Sequence, residues 1–266
     1  MTTPKLLISN LSHLYQDAKS GRKLHALHNV SLKVDDGEFV AVVGPNGCGK
    51  TTLLNVVAGL IRPTYGRVMV DGVPVNGPSG SVGLVFQHPL LLPWKTLLEN
   101  VSWGLELRDV NRSEAATRAR EVIRTVGLLG FEDYYPKSLS GGMQQRANLA
   151  RALVLDPELV LLDEPFANLD AQTREIMQYE LVRVWEATRK TALLVTHNIT
   201  EAVYLADRIF VLTKRPGKIK DIVRVDLPRP RTLAIKRTLR FLEYDGRIWD
   251  LLEMGEHEKK IQCSKT

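Results

Sequence analysis

Short apolar runs of strand type recur along the chain, separated by stretches with helical spacing. Residues 6–11 and 24–34 predict strands, and Asp35-Asp36-Gly37 predicts a turn into a third apolar run at 39–43. A helix is expected over 53–60, and residues 67–70 and 72–75 read as a hairpin around Asp71-Gly72. Residues 82–86 look like a buried strand that ends at Gln87. From His88 to about Ala150 the spacing turns helical, with helices expected over 97–107 and 113–126 and Ser113 placed to cap the second. This segment reads as a helical subdomain inserted between strands. Leu90-Leu91-Leu92-Pro93-Trp94 opens it; Trp94 and its leucines are expected in that subdomain's core, with a surface for another protein as the alternative. Strands return at 159–162, 192–196 and 208–212, helices are expected over 173–189 and 201–207, and Met177, Leu181, Val184 and Trp185 are available for packing. Beyond Pro228-Arg229-Pro230 the character changes, and a boundary is placed near 228. A charged helix is expected over 235–254, with Leu239, Leu242, Ile248, Trp249, Leu251 and Leu252 at its apolar positions.

Chemistry enters between the third strand and its helix. Gly44-Pro45-Asn46-Gly47-Cys48-Gly49-Lys50-Thr51-Thr52 fits G-x-x-x-x-G-K-[ST] in the strand–loop–helix order that pattern requires. Glycines 44, 47 and 49 let backbone N–H groups turn inward as a nest, and the helix start adds unpaired N–H groups and a positive dipole end. Lys50 can reach the outer phosphates of a nucleotide, Thr51 offers a hydroxyl to Mg2+, and Thr52 lies one residue deeper. A turn that merely joined strand to helix would leave Lys50 and the Thr pair unexplained.

Further candidates sit at strand ends and helix starts. Gln87 and His197 each follow a strand, where open α/β sheets place ligands, although a lone Gln or His is more often structural. Ser140 can cap a helix whose first turn carries Gly141 and Gly142, which leaves a second set of open N–H groups. Asp163 and Glu164 end the strand at 159–162. In a phosphate-loop protein the Asp after such a strand holds Mg2+, and Glu164, pointing the other way, can face the water in line with the terminal phosphate. Two readings stand for Tyr15: a packed strand residue, or an aromatic that stacks on adenine.

The 266 residues suffice for one large domain or a domain with an appendage. The net charge of +6 is spread among interleaved acidic residues, so a mixed solvated surface is expected and no nucleic-acid partner. Two cysteines, Cys48 and Cys263, make no disulfide framework, which points to a reducing compartment. No signal-like segment or bilayer-length apolar run is present, so any membrane role is expected to come through a partner.

Over essentially residues 5–215 these motifs, in their order, resemble the ATP-binding subunit of ABC transporters. The matches are Tyr15, the loop from Gly44 to Thr51, Gln87, Leu139-Ser140-Gly141-Gly142-Met143, Asp163 with Glu164, the loop ending in Asp170, and His197. Leu91-Leu92-Pro93-Trp94-Lys95-Thr96, Glu99-Asn100-Val101 and Arg215-Pro216-Gly217 resemble the nitrate, sulfonate and taurine importer branch. Lys137-Ser138 depart from it, standing where such importers often carry a Gln.

The resemblance implies an α/β phosphate-loop NTPase fold of the ABC type, spanning 5–227. Such a fold has a RecA-like core, an antiparallel β subdomain and a helical subdomain at about 88–150, here followed by a C-terminal helical extension over 228–266. It implies ATP and Mg2+ as cofactors. ATP would be bound by Tyr15, Gly44, Pro45, Asn46, Gly47, Cys48, Gly49, Lys50, Thr51 and Thr52, with Ser140, Gly141, Gly142 and Asp170 reaching the nucleotide of a second subunit. Mg2+ would be held by Thr51, Gln87 and Asp163, while Glu164, His197 and Gln87 would serve catalysis. The implied partners are a second ATP-binding subunit in a head-to-tail dimer, transmembrane permease subunits and, indirectly, an extracytoplasmic solute-binding protein. The implied location is the cytoplasmic face of the cell membrane. Two rivals are a soluble ABC-type ATPase, which usually carries two cassettes or long coiled coils, and a non-catalytic scaffold, which would not need Glu164 and His197 together.

Overall fold

The computed structural model describes residues 3–16 and 21–263. In chain order its first elements are β1 (Leu6–Gln16), β2 (Lys23–Val34), β3 (Phe39–Val43), α1 (Lys50–Val57), β4 (Tyr65–Val70), β5 (Val73–Pro74) and β6 (Val82–Val85). The helices α2 (Leu97–Glu106), α3 (Arg112–Thr125) and α4 (Gly141–Leu153) follow. Then come β7 (Leu159–Asp163), α5 (Ala171–Thr188), β8 (Thr191–Thr196), α6 (Ile199–Leu205), β9 (Arg208–Leu212), β10 (Ile219–Arg224) and α7 (Leu239–Cys263). Two units hold them: Met1–Ser79 with Thr191–Thr266, and Gly80–Lys190.

In the first unit β3 is buried at all five positions, because β8 and β9 flank it as parallel partners. A strand covered on both faces reads as a continuous apolar run, which is how residues 39–43 look. The order is β10-β9-β3-β8, with β10 antiparallel to β9. A second, antiparallel sheet runs β2-β1-β4-β5. Within it β1 extends to Gln16 instead of stopping at Leu11, so Tyr15 lies in the strand and not between strands. Irregular pairing between Ile8 and Leu14, with Asn10 at φ 52, breaks the two-residue period that would have announced the longer strand.

The C-terminal segment belongs to the same unit and is pinned by Arg231. Its fully buried guanidinium donates to the carbonyls of Val203, Tyr204 and Ala206 at 3.2, 3.0 and 2.9 Å, which the end of α6 leaves open. Arg229 donates to both Leu205 O and Asp207. α7 packs on α6, β9 and β10 by one narrow face: Phe241 and Ile248 are buried, whereas Leu239, Leu242 and Trp249 are exposed. The apolar positions expected to pack therefore divide, since a helix with one partner surface buries only one stripe.

In the second unit β6 and β7 pair in parallel, and α2 packs against α3 and α4. Thr96 and Glu99 form a reciprocal capping box at the start of α2. α3 is capped by Asn111, whose side chain accepts from Ser113 N at 2.9 Å, so Ser113 is inside the helix and not its cap. Met177, Leu181, Val184 and Trp185 are buried, as their spacing predicts. Trp94, expected in the core, is instead 70% exposed, and Leu90 stands out beside it at 59%. The chain before α2 is held by its backbone, with Asn100 accepting from Leu92 N and donating to the carbonyls of Leu92, Lys95 and Thr96, so the indole is not needed for packing.

Candidate functional site

The predicted residues fall into two groups, one in each unit. In the first, β3 delivers the chain into the glycine-rich loop and α1 leaves it. Gly47 and Gly49 have φ of 73° and 109°, a region that side-chain-bearing residues enter only at a cost. Gly49 is the N-cap of α1 and supplies no side-chain hydrogen bond, so the first-turn N–H groups are left to an anion. Lys50 is buried, and its ammonium folds over the loop to donate to Gly44 O at 2.9 Å and Pro45 O at 3.3 Å. Thr51 is exposed at the helix start, while Cys48 is buried behind the loop.

Tyr15, half-exposed on β1, brings its hydroxyl to 3.2 Å from the Thr52 hydroxyl. The phenol hydroxyl therefore stands at the first turn of α1. His197 arrives by register: Val43 pairs with Thr196 across parallel β3 and β8, so Gly44 and His197 leave their strands at the same level. The backbone on either side of His197 is fixed by a chain of bonds. Asn198 N donates to Thr196 Oγ1 at 3.0 Å, Thr196 Oγ1 donates to the buried Glu201 carboxylate at 3.3 Å, and Glu201 N donates to Asn198 Oδ1 at 3.0 Å. Asn198 thereby caps α6, which starts at Ile199 and not at the expected residue 201.

In the second unit the parallel register of β6 and β7 pairs Val85 with Leu162, so Gln87 and Glu164 each follow that last pair by two residues. Asp163 ends β7, half-buried. Glu164 has φ 42°, left-handed backbone for a residue with a side chain, which costs of order 1–3 kcal/mol and concentrates at functional sites. Gln87 and the residue before it are held from two sides. Asn148 on α4 donates to Phe86 O at 2.9 Å, and Asn168 donates to Gln87 O at 3.3 Å.

Ser140 caps α4 by accepting from Met143 N at 3.3 Å. Gly142 is buried against α5, where an added Cβ would come within 2.9 Å of the Thr173 methyl. Asp170 caps α5, accepting from Thr173 N at 3.0 Å, and hydrogen bonds from the Thr173 backbone and side chain hold its carboxyl below the usual carboxylate range. Thr173 thus links the loop ending in Asp170 to the glycines after Ser140. Asn168, Thr173 and Glu201 were not singled out from the sequence. Their partners are distant in the chain or hidden in helix-start patterns common to many proteins.

The residues present suit a nucleotide with Mg2+. The loop offers inward backbone donors and one ammonium to phosphate. Thr51 offers a hydroxyl in the first unit, Gln87 and Asp163 offer oxygen donors in the second, and among the described residues no group of three His, Cys, Asp or Glu that could hold a metal ion exists. A hard ion that keeps waters and takes phosphate oxygens fits such a set better than a metal caged by protein alone.

A family model described as ABC transporter matches residues 27–167. An uncharacterised ABC transporter ATP-binding protein of Methanocaldococcus jannaschii is 51% identical over 94% of this chain and 91% of its own length. A taurine import ATP-binding protein of Burkholderia pseudomallei is 45% identical over 93% of this chain and 94% of its own. Among solved structures, a dimeric ATP-binding cassette in a post-hydrolysis state with ADP and Pi matches with a TM-score of 0.72 at 32% identity, covering 84% of this chain and 100% of that one.

Proposed function

This chain belongs to the ABC transporter family as an ATP-binding, ATP-hydrolysing subunit, and from that premise we propose that it energises an importer for a small anion. A sulfonate such as taurine leads, with nitrate, another alkanesulfonate or bicarbonate as members of the same class. The observation that carries the transport reading is the apolar surface beside Gln87. A cavity of about 320 Å3 is lined by Phe86, Trp103, Leu107 and Arg151 among others. Arg151 donates to Leu90 O at 2.7 Å and the Lys95 ammonium sits 4.2 Å over the Trp103 ring, so the segment bearing exposed Leu90 and Trp94 is tied to its rim. No helix among the described residues is long and apolar enough to cross a membrane. The proposal therefore places translocation in separate permease subunits that dock on this surface, with the chain held at the cytoplasmic face of the membrane and a solute-binding protein acting outside.

The proposed mechanism assigns each residue a task. Tyr15 stacks on adenine; Gly44 to Thr52 wrap the phosphates, with Lys50 on the outer ones. Thr51, Gln87 and Asp163 would hold Mg2+, which would supply charge neutralisation on the phosphates. Glu164 takes a proton from the attacking water as its oxygen bonds to the terminal phosphorus, ADP leaves, and His197 contacts the phosphate being released. Ser140, Gly141 and Gly142, at the Ser140-capped start of α4, meet the nucleotide held by a second copy of the chain, and Asp170 lies at that junction. Gln87, tethered through its carbonyl to Asn168, links the ion to the docking surface.

Glu164→Gln tests the chemistry. The variant should bind ATP and dimerise while turnover falls by about 10²- to 10⁴-fold; hydrolysis at the wild-type rate would sink the assignment. Isolation of the wild-type chain from membranes should bring a polytopic membrane protein with it. A pull-down without one would overturn the importer reading but not the ATPase.

A further inference from the structure

Arg215-Pro216-Gly217 has no task in the mechanism above, yet it is built against the phosphate loop. The parallel register pairs Val43 of β3 with Val211 of β9, so the chain leaving β9 starts level with Gly44. Leu212 presses on that glycine, where an added Cβ would lie 3.1 Å from Leu212 Cβ. The turn that follows is closed on itself: Thr213 N donates to Lys218 O at 2.9 Å, and Thr213 Oγ1 accepts from Lys218 N at 3.0 Å and donates to Pro216 O at 3.1 Å. It is also fastened to the edge of β2, through Gly217 N to Ala26 O at 2.9 Å and His28 N to Gly217 O at 3.0 Å. The turn is thus rigid before it reaches the loop.

It meets two successive loop carbonyls. Arg215 Nε donates to Gly47 O at 2.9 Å. Gly217 lies so close to the Cys48 carbonyl that a Cβ there would stand 2.2 Å from the oxygen. In a trans peptide the C=O and N–H point in opposite directions. Holding the Cys48 carbonyl toward the turn therefore aims the Gly49 N–H away from it, to the other side of the loop. Glycines at 44, 47 and 49 give this stretch more backbone freedom than residues with side chains would, so whatever fixes its peptide planes removes ordering cost from phosphate binding.

We infer that the β9–β10 turn is a latch that presets the phosphate loop, and that Arg215 is a positioning residue for ATP acting through the Gly47 carbonyl. The inference rests on ATP binding at this loop and is independent of the transported solute. It predicts an effect on affinity rather than on chemistry, because Arg215 addresses a loop carbonyl and no reacting atom is assigned to it.

The test is ATP affinity and steady-state hydrolysis in Arg215→Ala, Arg215→Lys and Gly217→Ala, beside wild type. Arg215→Ala should raise both Kd and KM for ATP about tenfold, the scale of one hydrogen bond from a charged donor. Its kcat should stay within about twofold and its melting temperature within about 2 °C, since Arg215 is exposed. Arg215→Lys should recover part of the affinity, and Gly217→Ala should lose more than Arg215→Ala because backbone must move. Unchanged Kd in Arg215→Ala, or a fall in kcat with Kd unmoved, overturns the latch. Failure of wild type to bind ATP would instead remove the ATP-binding premise, so the two failures are distinguishable.

Discussion

His13 stands two residues before Tyr15 on β1, its ring edge-on to the tyrosine at 4.6 Å. Burial, partly offset by a hydrogen bond with the Arg62 backbone, pushes its imidazole below the ordinary histidine range. The unfolded chain, with a histidine of ordinary pKa near 6.5, then binds more protons than the folded one just below that pH. Stability must fall as pH drops from about 6.5 toward the folded value, and the contribution is whole above it. His13→Gln should flatten that part of the pH dependence. Thermal melts of variant and wild type between pH 5 and 7.5 check this, and parallel curves would refute it. At this scale the chemistry readable in advance was the local kind. Gly44 to Thr52 announce themselves because the whole pattern lies within nine consecutive residues. Tyr15 with Thr52, 37 residues apart, and Asn168 with Gln87, 81 apart, depend on strand register that no short motif encodes.

Helix starts were legible in part: Ser140 caps α4 as expected, whereas α3 is capped by Asn111 and not by Ser113. Thr96 with Glu99, and Ser140, stand where local side-chain chemistry puts caps. Thr96→Ala should cost about 1 kcal/mol of stability, visible as a melting-temperature drop of about 2–4 °C; because Asn100 still ties the preceding segment, ATP affinity should not move. A thermal melt paired with nucleotide titration separates these outcomes. The face of α7 was not readable, since which of Phe241, Leu242, Ile248 and Trp249 is covered is decided by α6, β9 and β10, not by the helix. Pro228-Arg229-Pro230 marked a change of character in the chain. It could not disclose that Arg231, just beyond, would be fully buried on three carbonyls of the α6 end.

Taken whole, the molecule makes best sense as part of an assembly, and Trp94 is the clearest sign. A tryptophan among leucines reads as core when only one chain is considered, and its 70% exposure shows that nothing within this chain is required to cover it. If the permease docks there, Trp94→Asp should cut coupled transport by about tenfold or more in the full complex, while leaving ATP binding by the isolated subunit intact. Transport assays in vesicles together with nucleotide titration would show it, and undiminished transport would place the permease elsewhere. The fold class was readable because strand, loop and signature occur in one order; the second subunit and the permease came only through the family resemblance, because their surfaces belong to other chains.

Glu164 sets two kinds of selection against each other. Its left-handed backbone, φ 42°, suits glycine or asparagine better than glutamate, whereas the proposed proton transfer needs a carboxylate there. A library sorted for heat resistance alone would drift toward glycine at this position and lose the enzyme while improving the protein. One sorted for the proposed ATP-driven transport would keep the strained glutamate.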